Sequence, residues 1–439
     1  MKTKEISMKK IIFIILLCLT TVNAQTNILS LEKSIDIGLK NSKEINISIS
    51  DTLISDALLT NAWSNLLPQV SLGFTYNHIS EMPIQLQIPF LPASSGEVLN
   101  AMYSNATIEQ PLFTGFKLLA IKNVAFYTKK ATVSENSKVK NSKALEINTA
   151  FWNYFKAIKL VEILEENLKV ASLQVENVSN FNKNEMSSEN DLLKIKVKEA
   201  ELKSKIIEAQ NQMKLAQSNF NRVIGLNINH DTQIIPPDLD EKIIEFDFDL
   251  LLSETLKSNY DLSANKYRIK GADEKITIAK STWFPQINAF GSYYYLQLSG
   301  SSILNDDLNN FWMVGINAKW NIWDWWKTSS NSDVAIQELN KIKIANELLK
   351  EKIQLEVYSN LLNLQSFAKK IELNKLIVES AFENFRISKN KFESQIVTST
   401  ELTEASALLA EAKIKLINSQ IDYKLGLLQL YNSIGRKIY

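Results

Sequence analysis

Four stretches of this chain alternate apolar and polar positions with a period of two, the spacing that sends successive side chains to opposite faces of a β-strand. The clearest puts Trp312, Val314, Ile316, Ala318, Trp320 and Ile322 on one face and Met313, Gly315, Asn317, Lys319 and Asn321 on the other. This predicts a strand over about 311–323, with a partner over about 286–298 and an earlier pair over about 69–79 and 102–113. A face that is apolar along its length and aromatic at its ends suits a strand set between lipid and water. Trp312 and Trp320 are eight residues apart, roughly 27 Å along a strand and about 20 Å once it is tilted in a barrel. Trp312, Trp320 and Trp323 are therefore expected in the aromatic girdle of such a barrel. Taken singly, each stretch would also serve as a half-buried strand of a soluble sandwich.

Between the strand pairs the period changes. Residues from Lys117 to about Phe181, and from Lys327 to about Lys391, contain no glycine or proline and predict helices of some 65 residues, roughly 97 Å long. The segments that follow carry apolar or small residues at alternating steps of three and four: Leu402, Ala405, Leu409, Ala412, Leu416, Ser419, Tyr423, Gly426 and Leu430, and before them Leu192, Ile195, Glu199, Leu202, Ile206, Ala209, Met213, Ala216 and Phe220. That spacing marks helices packed as coiled coils. Each long helix is expected to turn back on itself, at 184–188 and at 394–398, so these turns form the far ends of the molecule.

The pattern occurs twice. Leu66-Leu67-Pro68-Gln69-Val70 is echoed by Trp283-Phe284-Pro285-Gln286-Ile287, 217 positions on, and Gln110-Pro111-Leu112-Phe113 by Trp320-Asn321-Ile322-Trp323, 210 positions on. A fixed offset over this distance predicts an internal duplication. The first repeat is expected over 25–225 and the second over 249–439, with a linker over 226–248 that holds Pro236-Pro237. Four strands cannot close a barrel, which needs about eight. Open strand edges are not tolerated in lipid, so the period-two reading requires several copies of the chain.

Composition adds exclusions. Lys2, Lys4, Lys9 and Lys10 precede the apolar run Ile11–Leu19 and the small-residue end Val22-Asn23-Ala24, the arrangement of a secretory signal over 1–24. The single cysteine, Cys18, lies inside it, so the mature chain would have neither disulfides nor thiolate ligands. Removing the signal takes four of 49 basic and one of 48 acidic residues. The near-neutral balance that remains makes no electrostatic case for nucleic acid. His78 and His230 stand in no metal-ligand spacing and are expected at the surface, and no phosphate loop or nucleophile motif occurs. No cofactor and no enzymatic activity are expected, so energy for any transport would come from a partner.

The leader, the doubled order of helix, strand pair and helical hairpin, and the Leu-Leu-Pro-Gln and Gln-Pro-Leu-Phe-Thr-Gly motifs together resemble the outer membrane efflux protein family, the TolC-like channels. The resemblance implies an α+β membrane protein. Its homotrimer would pool four strands per protomer into one twelve-stranded β-barrel in the outer membrane of a Gram-negative cell. Coiled-coil helices would continue that barrel through the periplasm. It also implies a periplasmic adaptor protein and an inner-membrane pump as partners. The hairpin tips Asn184, Glu185, Met186 and Ser187, and Ser394, Gln395, Ile396 and Val397, would dock to them.

The resemblance places a pore gate on Glu401 and Glu404, glutamates where the family more often has aspartates. Three residues apart on a helix, they share a face, and a ring of them would favour cations. The same two residues also fit solvated positions in the first turns of a helix, where its dipole favours acids. The tips depart from the family in lacking its glycine. The expected function is a passive exit duct of a tripartite efflux or type I secretion system. The alternative is a structural or adhesive coiled-coil surface protein without conductance.

Overall fold

The computed structural model describes residues 28–79, 99–239, 242–299, 309–394 and 396–439. The expected signal segment 1–24 and Gln395 lie outside them. A two-residue strand, β1 (Ile28–Leu29), leads into α1 (Leu31–Asn41), α2 (Lys43–Ser64) and the antiparallel pair β2 (Gln69–Ile79) and β3 (Leu99–Phe113). Then come α3 (Lys117–Lys183) and α4 (Glu189–Ile224), followed by the short β4 (Gln233–Ile234). The second half runs α5 (Phe248–Ser258), α6 (Tyr260–Lys280), β5 (Gln286–Ser299), β6 (Asn309–Lys319), α7 (Lys327–Glu393) and α8 (Ser399–Ile434). The halves have the same order, and their long helices match in length, 67 and 36 residues each time.

Local chemistry sets the boundaries. Ser188 and Thr398 cap the returning helices, their hydroxyls accepting from the backbone N–H of Asp191 and Glu401. Gly225 and Gly435 end those helices with φ of 79° and 84°, a backbone region that costs glycine least. Pro68 and Pro285 stand just before β2 and β5, where a missing N–H interrupts no ladder bond.

The large sheet has the order β2-β3-β5-β6, antiparallel throughout. The last strand differs from the expected span: β6 ends at Lys319, four residues before 323. Register gives the reason. Gln286 pairs with Lys319, so Trp320 would face Pro285, which has no N–H to offer. The Trp320 indole instead donates to the carbonyl of Trp283 at 3.1 Å, and the chain leaves the ladder. Trp320 and Trp323 thus sit beyond the strand.

Each long helix folds back on its successor, α3 on α4 and α7 on α8, and the hairpins meet where α3 packs against α8. The seam of α8 is realised: all nine positions are buried except Leu416, which is half-buried. Of the nine seam positions of α4 only Ile195, Ile206, Ala209 and Phe220 are buried. The cause is that α8 lies between α7 and α3, whereas α4 packs mainly on α3. Gly426 marks a close approach, since a Cβ there would meet the Phe367 ring at 3.0 Å.

Two apolar cores sit midway along the molecule, one around Phe151, Trp152, Phe155 and Phe220, the other around Val357, Leu364, Tyr423 and Leu430. A third, around Val178, Ile195, Phe392 and Leu402, joins the two hairpins near their tips. Among the described residues no helix is long and apolar enough to cross a membrane.

Candidate functional site

The register assigns each face of the sheet. Cross-strand partners share a face, so Val70, Leu72 and Phe74 lie with Ala106 and Ile108, then Ala289 and Tyr293, then Trp312, Val314 and Ile316. The opposite face carries Ser71, Thr75, Asn105, Thr107, Glu109, Asn288, Ser292 and Asn317. On it the Thr107 and Ser292 hydroxyls are 3.0 Å apart. One side of the sheet is thus apolar and exposed across four strands, and the other is mostly polar. Among the described residues, no strand pairs with the outer sides of the edge strands β2 and β6.

At the opposite end, the two hairpin turns are built alike. The N–H of Met186 donates to the Phe181 carbonyl, and that of Ile396 to the Lys391 carbonyl, both at 2.8 Å. The side chains of Asn184 and Ser394 bond back to the carbonyls of Asn180 and Asn390. The two backbone bonds run from five residues on and the two side-chain bonds from four, and together they close the last turn of each helix. Glu185 takes a φ of 58° in the first turn, where no glycine is available. Met186 and Ile396 project as exposed apolar side chains, and below them the Phe181 and Phe392 rings meet at 6.4 Å.

Glu401 and Glu404 lie in the first two turns of α8, both exposed. Neither carboxylate has a hydrogen bond or ion pair to any described residue. Between and beyond them the helix is tied to α3 by polar contacts: the Thr403 hydroxyl donates to Gln174 Oε1 and the Ser406 hydroxyl to Asn167 Oδ1, each at 2.6 Å, and Lys413 reaches Glu166 at 3.0 Å. The Nε2 of buried Gln174 has no partner. The periodic seam did not reveal this polar link, because its α3 side is spread over helix positions that could equally be solvated.

The sequence reading missed two further features. Asn141 is fully buried in α3 and holds the C-terminal tail: its amide donates to Asn432 Oδ1 and the Arg436 carbonyl, and its Oδ1 accepts from the Ile438 N–H. Trp325 and Trp326, just before α7, have φ of 53° and 62°. Of the histidines, His78 is exposed, but His230 is half-buried and bonded to Thr232 at 2.8 Å.

Residues 251–436 match the family model described as outer membrane efflux protein. No curated protein matches the chain. Among solved structures, the Campylobacter jejuni CmeC outer membrane channel superposes with a TM-score of 0.79 at 14% identity, covering 92% of this chain and 85% of its own. The outer membrane protein VceC of Vibrio cholerae gives 0.76 at 15% identity, over 93% and 97%. The MtrE outer membrane channel of Neisseria gonorrhoeae gives 0.74 at 17% identity, over 93% and 89%. At these identities the structural likeness is one of fold, and it runs through both halves of the chain. The second half of the chain, residues 251–436, thus matches the outer membrane efflux protein model, and the chain along its whole length has the fold of the outer membrane channels CmeC, VceC and MtrE.

Proposed function

We propose that the protein is the outer-membrane duct of a tripartite efflux or type I secretion system, a homotrimer that conducts passively and is driven by a partner pump. The observation that carries this reading is the four-stranded sheet with two open edges and an apolar outer face. In lipid those edges must be paired, and joining β6 of one copy to β2 of the next in three copies gives a closed barrel of twelve strands.

The helices support the same closure. On α3, Ile163 and Asn167 are 7% and 8% exposed where α8 covers them, yet Leu373 and Ile377, 210 positions later on α7, are 60% and 48% exposed. Within one chain nothing covers α7 as α8 covers α3; α4 of a neighbouring copy would do so. The matched elements fit an internal duplication of 25–225 and 249–439 about the linker 226–248. The Trp312, Trp320 and Trp323 indoles then face the lipid boundary. The hairpin tips 184–187 and 394–397 are the ends open to a periplasmic adaptor and an inner-membrane pump.

Glu401 and Glu404 are the gate in this reading, their unpaired charges repeated around the axis of the trimer. In a planar bilayer the purified protein should give discrete, cation-selective conductance; a silent trimer would overturn the duct. Glu401→Gln combined with Glu404→Gln should weaken cation preference, as expected when a ring of carboxylates is neutralised. Unchanged selectivity would remove the gate and leave the channel.

A further inference from the structure

On one face of α3 the helices α4 and α8 lean towards each other and leave a hollow of about 260 Å³ between all three. Its floor is apolar, from Ala157 and Leu160 of α3, Ala216 of α4 and Ile417 of α8. Asn153, Lys156, Lys159 and Gln212 form its rim. A cavity of about 150 Å³ is enough to take up benzene, so this one has room for two fused rings. Leu160 lies nine residues from Phe151, about two and a half turns and hence across the helix. Phe151 belongs to the core on which α1 packs, so the hollow faces away from α1.

The second half fills the matching place. At the offset of 210, Ala157 and Ala216 correspond to Phe367 and Gly426. The Phe367 ring occupies the space between α7 and α8, 3.0 Å from where a Cβ on Gly426 would stand, and it packs on the second core. In the first half, alanine at 157 leaves that space open.

The polar groups at the rim select the occupant. The Lys156 ammonium has no hydrogen bond or ion pair to any described residue, whereas the Lys159 ammonium is held by Glu162 at 2.6 Å. Among the described residues no carboxylate lines the hollow. One free cation and neutral amides beside an apolar floor suit a ligand that joins a ring system to a single acidic group.

We propose that this hollow is a contact site for cargo, one that takes amphipathic aromatic anions. The proposal rests on the duct reading. In a ring of copies, the face across which α4 and α8 converge is the concave side of the wall, and therefore the lumen. Ile417 is 16 residues along α8 from Glu401, roughly 24 Å. At physiological salt the gate carboxylates are screened over that distance from an anion held here.

The only cysteine of the chain is Cys18, in the expected signal segment, so Asn153→Cys gives each copy one reactive thiol at the rim. In the full-length trimer in lipid nanodiscs, saturating naphthalene-1-sulfonate should slow modification of that thiol by methyl methanethiosulfonate at least about fivefold, as expected of a pocket that buries most of its ligand. Ethanesulfonate, which has the charge without the rings, should give no protection. Adding Ala157→Phe, the residue of the second half, should abolish protection by occupying the floor; Ala157→Leu serves if that trimer does not assemble. Adding Lys156→Gln should raise the half-protecting concentration roughly twofold to fivefold, the worth of a partly exposed charge pair. Absent protection, or protection that Ala157→Phe leaves unchanged, would overturn the site. A half-protecting concentration of neutral naphthalene-1-methanol no higher than that of the sulfonate would overturn its assignment to anions. Bilayer conductance alongside absent protection sinks this site alone, whereas a trimer that protects the thiol but conducts nothing removes the duct reading, and the cargo role with it.

Discussion

At the scale of single residues, backbone geometry and buried polar atoms make the sharpest demands. Gly115→Ala adds a Cβ that meets backbone rather than a yielding side chain, at a φ of 61°. It should cost roughly 1–3 kcal/mol in denaturant unfolding of the detergent-solubilised protein. Asn141 and Gln174 are both buried amides in α3, but they should respond differently. Asn141→Ala strands the Ile438 N–H and empties a fully buried site, for a loss of roughly 2–4 kcal/mol. Gln174→Leu removes an amide nitrogen that already lacks a partner together with the Oε1 that accepts from Thr403; because the Thr403 hydroxyl keeps the Ser399 carbonyl as its acceptor, the net change should be less than about 1 kcal/mol. Neither role was legible beforehand. Asn141 answers to a tail nearly 300 residues away, and an asparagine in a long polar-rich helix reads like any solvated one.

At the scale of elements, caps and registers decide where structure stops. The helix periods were readable because 3.6 residues per turn is a local property, and the tips at 184–188 and 394–398 followed from the same counting. The end of β6 was not readable from its own alternation, which continues through Ile322. It depends on Pro285, a residue of the partner strand, and so on which register the sheet adopts. The end of α8 gives a prediction in pH. Arg436 donates to both oxygens of Glu254 at 2.6 and 2.8 Å, and this hydrogen bonding holds the carboxyl below the usual glutamate range. A depressed carboxylate stabilises the folded form fully above its ordinary pKa and loses that contribution as pH falls through the lowered value. Amide protection of Arg436–Tyr439, corrected for intrinsic exchange, should therefore fall as acid is added through that window. Glu254→Gln should show weak protection of the tail already at neutral pH and little further change.

At the scale of the whole molecule, one chain is half of an interface pattern. Asn167 and Ser406 touch within the chain; their counterparts, Ile377 and Lys196, are far from any such partner because α4 and α7 belong to opposite flanks. A short thiol cross-linker should join Asn167→Cys to Ser406→Cys within a monomer, and Ile377→Cys to Lys196→Cys between copies. A ladder of covalent dimers and trimers on a denaturing gel is expected only for the second pair. Monomeric product from both pairs would argue against the ring.

Taken alone, the sequence determined the order of elements, the strand and helix periods, the apolar face of the sheet and the positions of the turns. All of these arise from contacts within a few residues, where side-chain spacing and backbone preference act directly. Tertiary structure decided where β6 ends, which polar residues become buried, that the α8 seam is deep and the α4 seam shallow, and that Glu401 and Glu404 are left unpaired while their neighbours bond to α3. Those outcomes depend on partners roughly 30 to 300 residues away, and an interaction across such a loop leaves no periodic trace in the segment that receives it.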